Sequence, residues 1–172
     1  VSISPVHALF PADPGHIGPY GTSSRLFLNV LHIDVRNVPG FGVSKVSRQI
    51  QADLAETVSK ARAADLVSYQ AVALSKMAVL EHLWGWLVRS TDQKNRSAFE
   101  QFKAEQGQPL FDHAVFDALH EHFFKATSPE WSWRKWPAEY RNARMARVAD
   151  FARTHSDRVD FFMYLQWLAD RQ

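Results

Sequence analysis

His7-Ala8-Leu9-Phe10-Pro11-Ala12-Asp13-Pro14-Gly15-His16-Ile17-Gly18-Pro19-Tyr20-Gly21-Thr22-Ser23-Ser24-Arg25-Leu26-Phe27-Leu28-Asn29-Val30-Leu31-His32-Ile33-Asp34 is the stretch on which the reading of this chain turns. Pro11, Pro14, Gly15, Gly18, Pro19 and Gly21 interrupt it so often that no helix can run through it, and the backbone must turn repeatedly. It also carries Tyr20, Phe27, Arg25, Asn29 and the imidazoles of His7, His16 and His32. A long loop loaded with ring and amide side chains is a common form of binding site on a rigid scaffold. Composition alone leaves a second reading open, an exposed connector that happens to contain aromatics.

Working outward, the 172 residues suit one compact unit, and a hydrophobic fraction of 46% is that of a globular chain. Twenty Lys and Arg against 18 Asp and Glu leave a formal charge of +2, with the two signs interspersed. That pattern gives no support to a nucleic-acid groove or an anionic membrane surface. With no cysteine, disulfides, thiolate metal sites and a cysteine nucleophile are excluded. No segment approaches the ~20 apolar residues that span a bilayer. The opening Val1-Ser2-Ile3-Ser4-Pro5 reads as part of a strand, and the expectation is a piece of a longer protein.

Beyond Gly42 the periodicity turns helical. Ser44 is suited to cap a helix carrying Val46, Ile50, Leu54 and Val58, with an interruption near residues 65–67. Ser68 or Tyr69 starts a second, with Met77, Leu80, Trp84 and Leu87 on its apolar face. Ser90-Thr91-Asp92 can cap a third that buries Phe99 and Phe102 and ends at Gly107 before Pro109. Leu110 to Lys125 makes a fourth, with Phe116, Leu119 and Phe123 along one side. Trp131, Trp133 and Trp136 then crowd a short loop, where bulky rings are expected in the core. Ala143 to Arg153 and a final helix capped by Asp157 complete the chain. The fold class expected is mainly α with a little β at the N-terminal end.

Chemical motifs are few. His120 and His122 stand two apart in His-Glu-His-Phe-Phe, which turns them to different sides of a helix, unlike the H-E-x-x-H spacing of a zinc site. No metal and no cofactor is expected. Neither a G-x-S-x-G elbow nor a phosphate-binding glycine loop occurs.

The opening stretch resembles the loop after the second barrel strand of bacterial 4-alpha-glucanotransferases, the amylomaltases of glycoside hydrolase family 77. Their P-L-H-A-L-F-P-x-D-P stands here as Pro5-Val6-His7-Ala8-Leu9-Phe10-Pro11-Ala12-Asp13-Pro14. Their S-P-Y-S-P-S-S-R stands as Gly18-Pro19-Tyr20-Gly21-Thr22-Ser23-Ser24-Arg25, and F-x-N-P-L-Y-I-D-V as Phe27-Leu28-Asn29-Val30-Leu31-His32-Ile33-Asp34-Val35. Gly18 replaces a hydroxyl that could meet a sugar. Further matches are Ala118-Leu119-His120-Glu121-His122-Phe123 and the run from Tyr164 to Gln172.

The resemblance implies a fragment: the end of barrel strand two and the substrate-side loop in residues 1–42, a helical insertion in residues 43–155, and one helix of an incomplete (β/α)8 barrel in residues 156–172. It implies a cytoplasmic, retaining transferase that moves α-1,4-glucan segments between maltooligosaccharides, with two carboxyl groups sharing the chemistry. The family's catalytic carboxylates lie in R-I-D-H-F-R-G, E-D-L-G and H-D-N-D contexts. None of these occurs here, so no catalytic residue is assigned and the chain alone is expected to be inactive. Tyr20 corresponds to the family's sugar-stacking tyrosine; the bland alternative is a ring that packs the loop onto its scaffold. His7 is the other substrate-side candidate, either donating to a sugar hydroxyl or bracing the loop. Arg25, Asn29 and Asp34 are expected to brace the turns. The expected partners are α-1,4-glucans and the remainder of the barrel, with no nucleic acid or membrane. Two rivals stand beside this reading: a non-catalytic helical interaction module, and part of an α-amylase-type hydrolase.

Overall fold

The structure, a computed structural model, describes residues 6–18 and 20–172. The strand expected over Val1–Pro5 lies outside the described residues. Strand β1 (His7–Ala8) pairs antiparallel with β2 (Ser24–Leu28), His7 opposite Leu28 and Ala8 opposite Ser24 with an irregularity between them. The chain between the strands forms the long loop. After β2 two single helical turns follow, Val30–His32 and Val35–Asn37, each started by a side-chain cap. Asn29 Oδ1 accepts from the Leu31 amide at 3.1 Å, and Asp34 Oδ1 accepts from the Arg36 amide at 3.1 Å. Short polar side chains here take the backbone donors that a turn leaves free.

The rest is helical: α1 (Lys45–Asp53), α2 (Ala55–Ala63), α3 (Tyr69–Arg89), α4 (Gln93–Phe124), α5 (Ala146–Thr154) and α6 (Ser156–Asp170). Ser44, Ser68 and Asp92 cap α1, α3 and α4 through the amides of Ser47, Ala71 and Asn95. The single helix expected through Val46 and Val58 is instead two, broken at Leu54. Positions four apart advance about 40° beyond a full turn each time, so the stripe drifts off the face of α3. Val46 is accordingly 52% exposed. At Gly107 the backbone takes φ +57° and ψ −142°, a conformation that favours glycine, so the helices expected on either side of it meet at a kink within α4.

Helix α6 is the axis of the packing. Every residue from Phe161 to Leu168 is buried, because α3, α4, α5, β2 and the turn at Val30–His32 surround it. A helical run buried on every side belongs in a core. Asp157 is not its cap; that position is His155, while Asp157 Oδ1 accepts from Trp84 Nε1 of α3 at 3.1 Å. Arg158 donates to both Glu121 oxygens, at 2.5 and 2.6 Å, and reaches Glu81 at 3.0 Å, tying α6 to α4 and α3.

The one buried amide in α6 sets the height of the sheet. Gln166, 4% exposed, accepts from the Leu28 amide and donates to the Leu28 carbonyl, both at 3.0 Å. It occupies the place of a neighbouring strand, satisfying both polar groups of Leu28. Gln172 treats Asp34 the same way, accepting from its amide at 2.7 Å and donating to its carbonyl at 3.4 Å.

Candidate functional site

The loop between β1 and β2 is held from below and open above. Ser23 closes its base: the hydroxyl donates to the carbonyls of Ala8 (3.2 Å) and Leu9 (2.7 Å), and its amide donates to Ala8 (2.9 Å). Two turns follow from the proline and glycine pattern, with the Asp13 amide donating to Phe10 and the His16 amide donating to Asp13, each at 3.0 Å. Phe10 is the anchor. Its ring lies 4.8 Å from that of His120 and 6.3 Å from that of Phe116, both on α4, and 4.9 Å edge-on from His16. His16 in turn packs against Trp131 at 5.6 Å. A Cβ at Gly21 would stand 2.9 Å from His16 Nε2, so any other residue there would have to push that imidazole aside.

Tyr20 stands next to Gly21 and is 86% exposed. Its ring is therefore not what pins the loop; Phe10 and His16 do that. His7 is half-buried in β1. Asn29 and Asp34 come together on a cleft of about 710 Å3 between the capped turns and the end of α6, with His32, Arg171 and Gln172 also in its wall. Tyr20 and His7 are not part of that wall. Asp34 pairs with Arg36 at 3.0 Å, and this hydrogen-bonded guanidinium holds its carboxyl below the usual carboxylate range. Arg25 is exposed, and no hydrogen bond or ion pair to it is found among the described residues.

Several supports of the loop and the turns after it have no local signal. Lys76 of α3 donates to the carbonyls of Leu31 (2.6 Å) and Ile33 (2.8 Å), and burial lowers its pKa. A lysine on a half-buried helix face carries no signal of such a target. The tryptophan cluster also divides differently from expectation. Trp136 is 2% exposed and packs on Phe116 and Phe123, but Trp131 and Trp133 are 50% and 41% exposed. The turn at Trp133–Lys135 points only its last neighbour, Trp136, into α4.

Beneath the loop, α4 carries a buried polar row. His113 stacks on Phe27 at 4.5 Å and lies 3.5 Å from Asp117, while His120 sits among Phe10, Phe116 and Phe124. Burial pushes His113 and His120 down to about 4, and pushes the Asp117 carboxyl well up, with Glu121 adding to the rise. Between about pH 4 and 6.5 the unfolded chain takes protons on both histidines that the folded chain refuses. For these two groups the unfolded state binds more protons, so the stability they contribute falls as pH falls through that window, while the raised Asp117 carboxyl works in the opposite direction. Urea denaturation at several pH values is expected to show this slope. The His113→Gln, His120→Gln double variant is expected to reverse or flatten it, and an unchanged slope would contradict the assignment.

The family model described as 4-alpha-glucanotransferase, for glycoside hydrolase family 77, matches residues 1–172. A 4-alpha-glucanotransferase of Haemophilus influenzae is 30% identical over 183 residues, taking in 100% of this chain and 26% of that protein. The 4-alpha-glucanotransferases of Mycobacterium bovis and Mycobacterium tuberculosis are each 29% identical over 178 residues, 100% of this chain and 23% of theirs. The chain thus spans about a quarter of the length of the curated relatives it matches.

Proposed function

Because this chain belongs to glycoside hydrolase family 77, the 4-alpha-glucanotransferases, we propose that it is the sugar-side wall of a glucan-transferring barrel enzyme whose catalytic carboxylates lie in other segments. In this reading residues 1–42 bring the end of barrel strand two and the substrate loop, residues 43–155 are a helical insertion, and residues 156–172 are a barrel helix. The observation that carries it is Tyr20: an 86% exposed phenol on a loop whose underside is fixed by Phe10, His16 and Ser23. A ring held at a fixed height and left bare is arranged to meet something flat and apolar from outside. The faces of a glucose ring carry C–H groups and suit it.

The chemistry then divides between segments. Elsewhere in the enzyme one carboxylate attacks the anomeric carbon and holds the glycosyl unit, while a second carboxyl protonates the leaving 4-oxygen and later deprotonates the incoming 4-hydroxyl. Here Tyr20 covers one face of the sugar at the cleavage point, keeping water off and fixing its orientation. His7 is the hydrogen-bonding candidate at the strand end; Asn29 and Asp34 keep the following turns in shape through their caps, and Arg25 is the remaining bracing candidate.

Maltotriose tests this directly. The complete enzyme is expected to give glucose and longer glucans with no change in the number of reducing ends, which separates transfer from hydrolysis. This chain by itself is expected to give no product. Glucose released by the purified chain would contradict the absence of catalytic carboxylates, and new reducing ends from the complete enzyme would favour the amylase-type rival.

A further inference from the structure

We propose that Trp131 is a second stacking surface for the glucan, continuous with the loop of Tyr20, and that it takes glucose units farther from the cleaved bond. The inference rests on the preceding reading of the loop. Trp131 is 50% exposed, yet the residues on either side of it are tied down by hydrogen bonds. On one side Glu130 donates its amide to the Phe123 carbonyl at 3.2 Å and accepts from Trp136 Nε1 through its own carbonyl at 3.2 Å. Its carboxylate also accepts from the Ser132 amide at 2.9 Å. Trp136, sunk against α4, is thus the bolt that holds the Trp131 backbone in place.

A large apolar ring that is rigidly held and half bare loses little freedom when a ligand covers it. Trp133 does not offer the same surface, since the Arg134 guanidinium lies over its ring at 4.8 Å. Trp131 is also joined to the substrate loop. His16 touches it at 5.6 Å, and the same imidazole lies against Gly21, the residue after Tyr20. One side chain therefore touches both Trp131 and the residue that follows Tyr20, which sets Trp131 beside the same loop.

The test uses the complete enzyme and two substrates of different length. Trp131→Ala is expected to raise KM for maltoheptaose roughly five- to tenfold, the loss of about one stacking contact. KM and kcat for maltotriose are expected to stay near the parent values, and Trp131→Phe is expected to restore most of the maltoheptaose affinity. Equal losses on both substrates would overturn the proposal, because they would show that Trp131 only props His16 and the loop. No change on either would overturn it as well. Tyr20→Ala measured alongside keeps the two readings apart: if that variant loses turnover and Trp131→Ala changes nothing, only this inference fails.

Discussion

Tyr20→Ala in the complete enzyme is expected to lower kcat/KM for maltotriose disproportionation by about 100-fold, on the order of what misplacing a reacting group costs. Its unfolding free energy should change by about 0.5 kcal/mol or less, as for exposed positions without structural partners. The separation of the two effects is the point. A ring 86% exposed contributes little to the folded state, so a large kinetic loss can come only from what it does to substrate. Tyr20→Phe is expected to keep most of the activity, because the proposed stacking uses the face of the ring and not its hydroxyl. Parallel loss of stability and turnover in the alanine variant would return Tyr20 to the role of loop packing.

The opposite profile is expected of Trp136→Ala. That indole is 2% exposed, with Phe123 at 5.0 Å and Phe116 at 5.7 Å, and its N–H donates to the Glu130 carbonyl. Removing it leaves a cavity and an unpaired carbonyl, a loss of about 3–5 kcal/mol. Against a typical reserve of about 5–15 kcal/mol this is a large part of the whole, and urea denaturation would read it as a lower midpoint. A change below about 1 kcal/mol would mean that the turn at Trp133–Lys135 is not seated on α4 as described. Five positions apart, Trp131 and Trp136 are thus expected to answer to different measurements, one to glucan length and the other to denaturant.

Much of the scaffold can be read from local chemistry. Ser44, Ser68 and Asp92 cap helices because short oxygen side chains reach the free amides of a first turn, and that signal lies within four residues. Gly107 before Pro109 marks the break in α4 for an equally local reason. The loop of Tyr20 is legible as a loop from its prolines and glycines. What sequence does not carry is the identity of distant partners. Gln166 is one polar letter in the buried run from Phe161 to Leu168, and nothing near it says that Leu28 lies opposite, 138 residues away. The break at Leu54 has no proline or glycine beside it to announce it. The tryptophans show the same limit: three similar rings in one short stretch, of which the packing buries Trp136 and leaves Trp131 half open. His16 is the clearest omission from the site, a histidine among eight whose importance appears only when Phe10, Gly21 and Trp131 are seen around it.

The central claim is that the bare ring on this loop meets glucan. Calorimetric titration of the complete enzyme with a thio-linked maltooligosaccharide, which binds but resists cleavage, compares the parent with Tyr20→Ala without interference from turnover. A Kd raised roughly tenfold in the variant is expected, with a smaller favourable enthalpy. Identical Kd and enthalpy for the two proteins would contradict the claim.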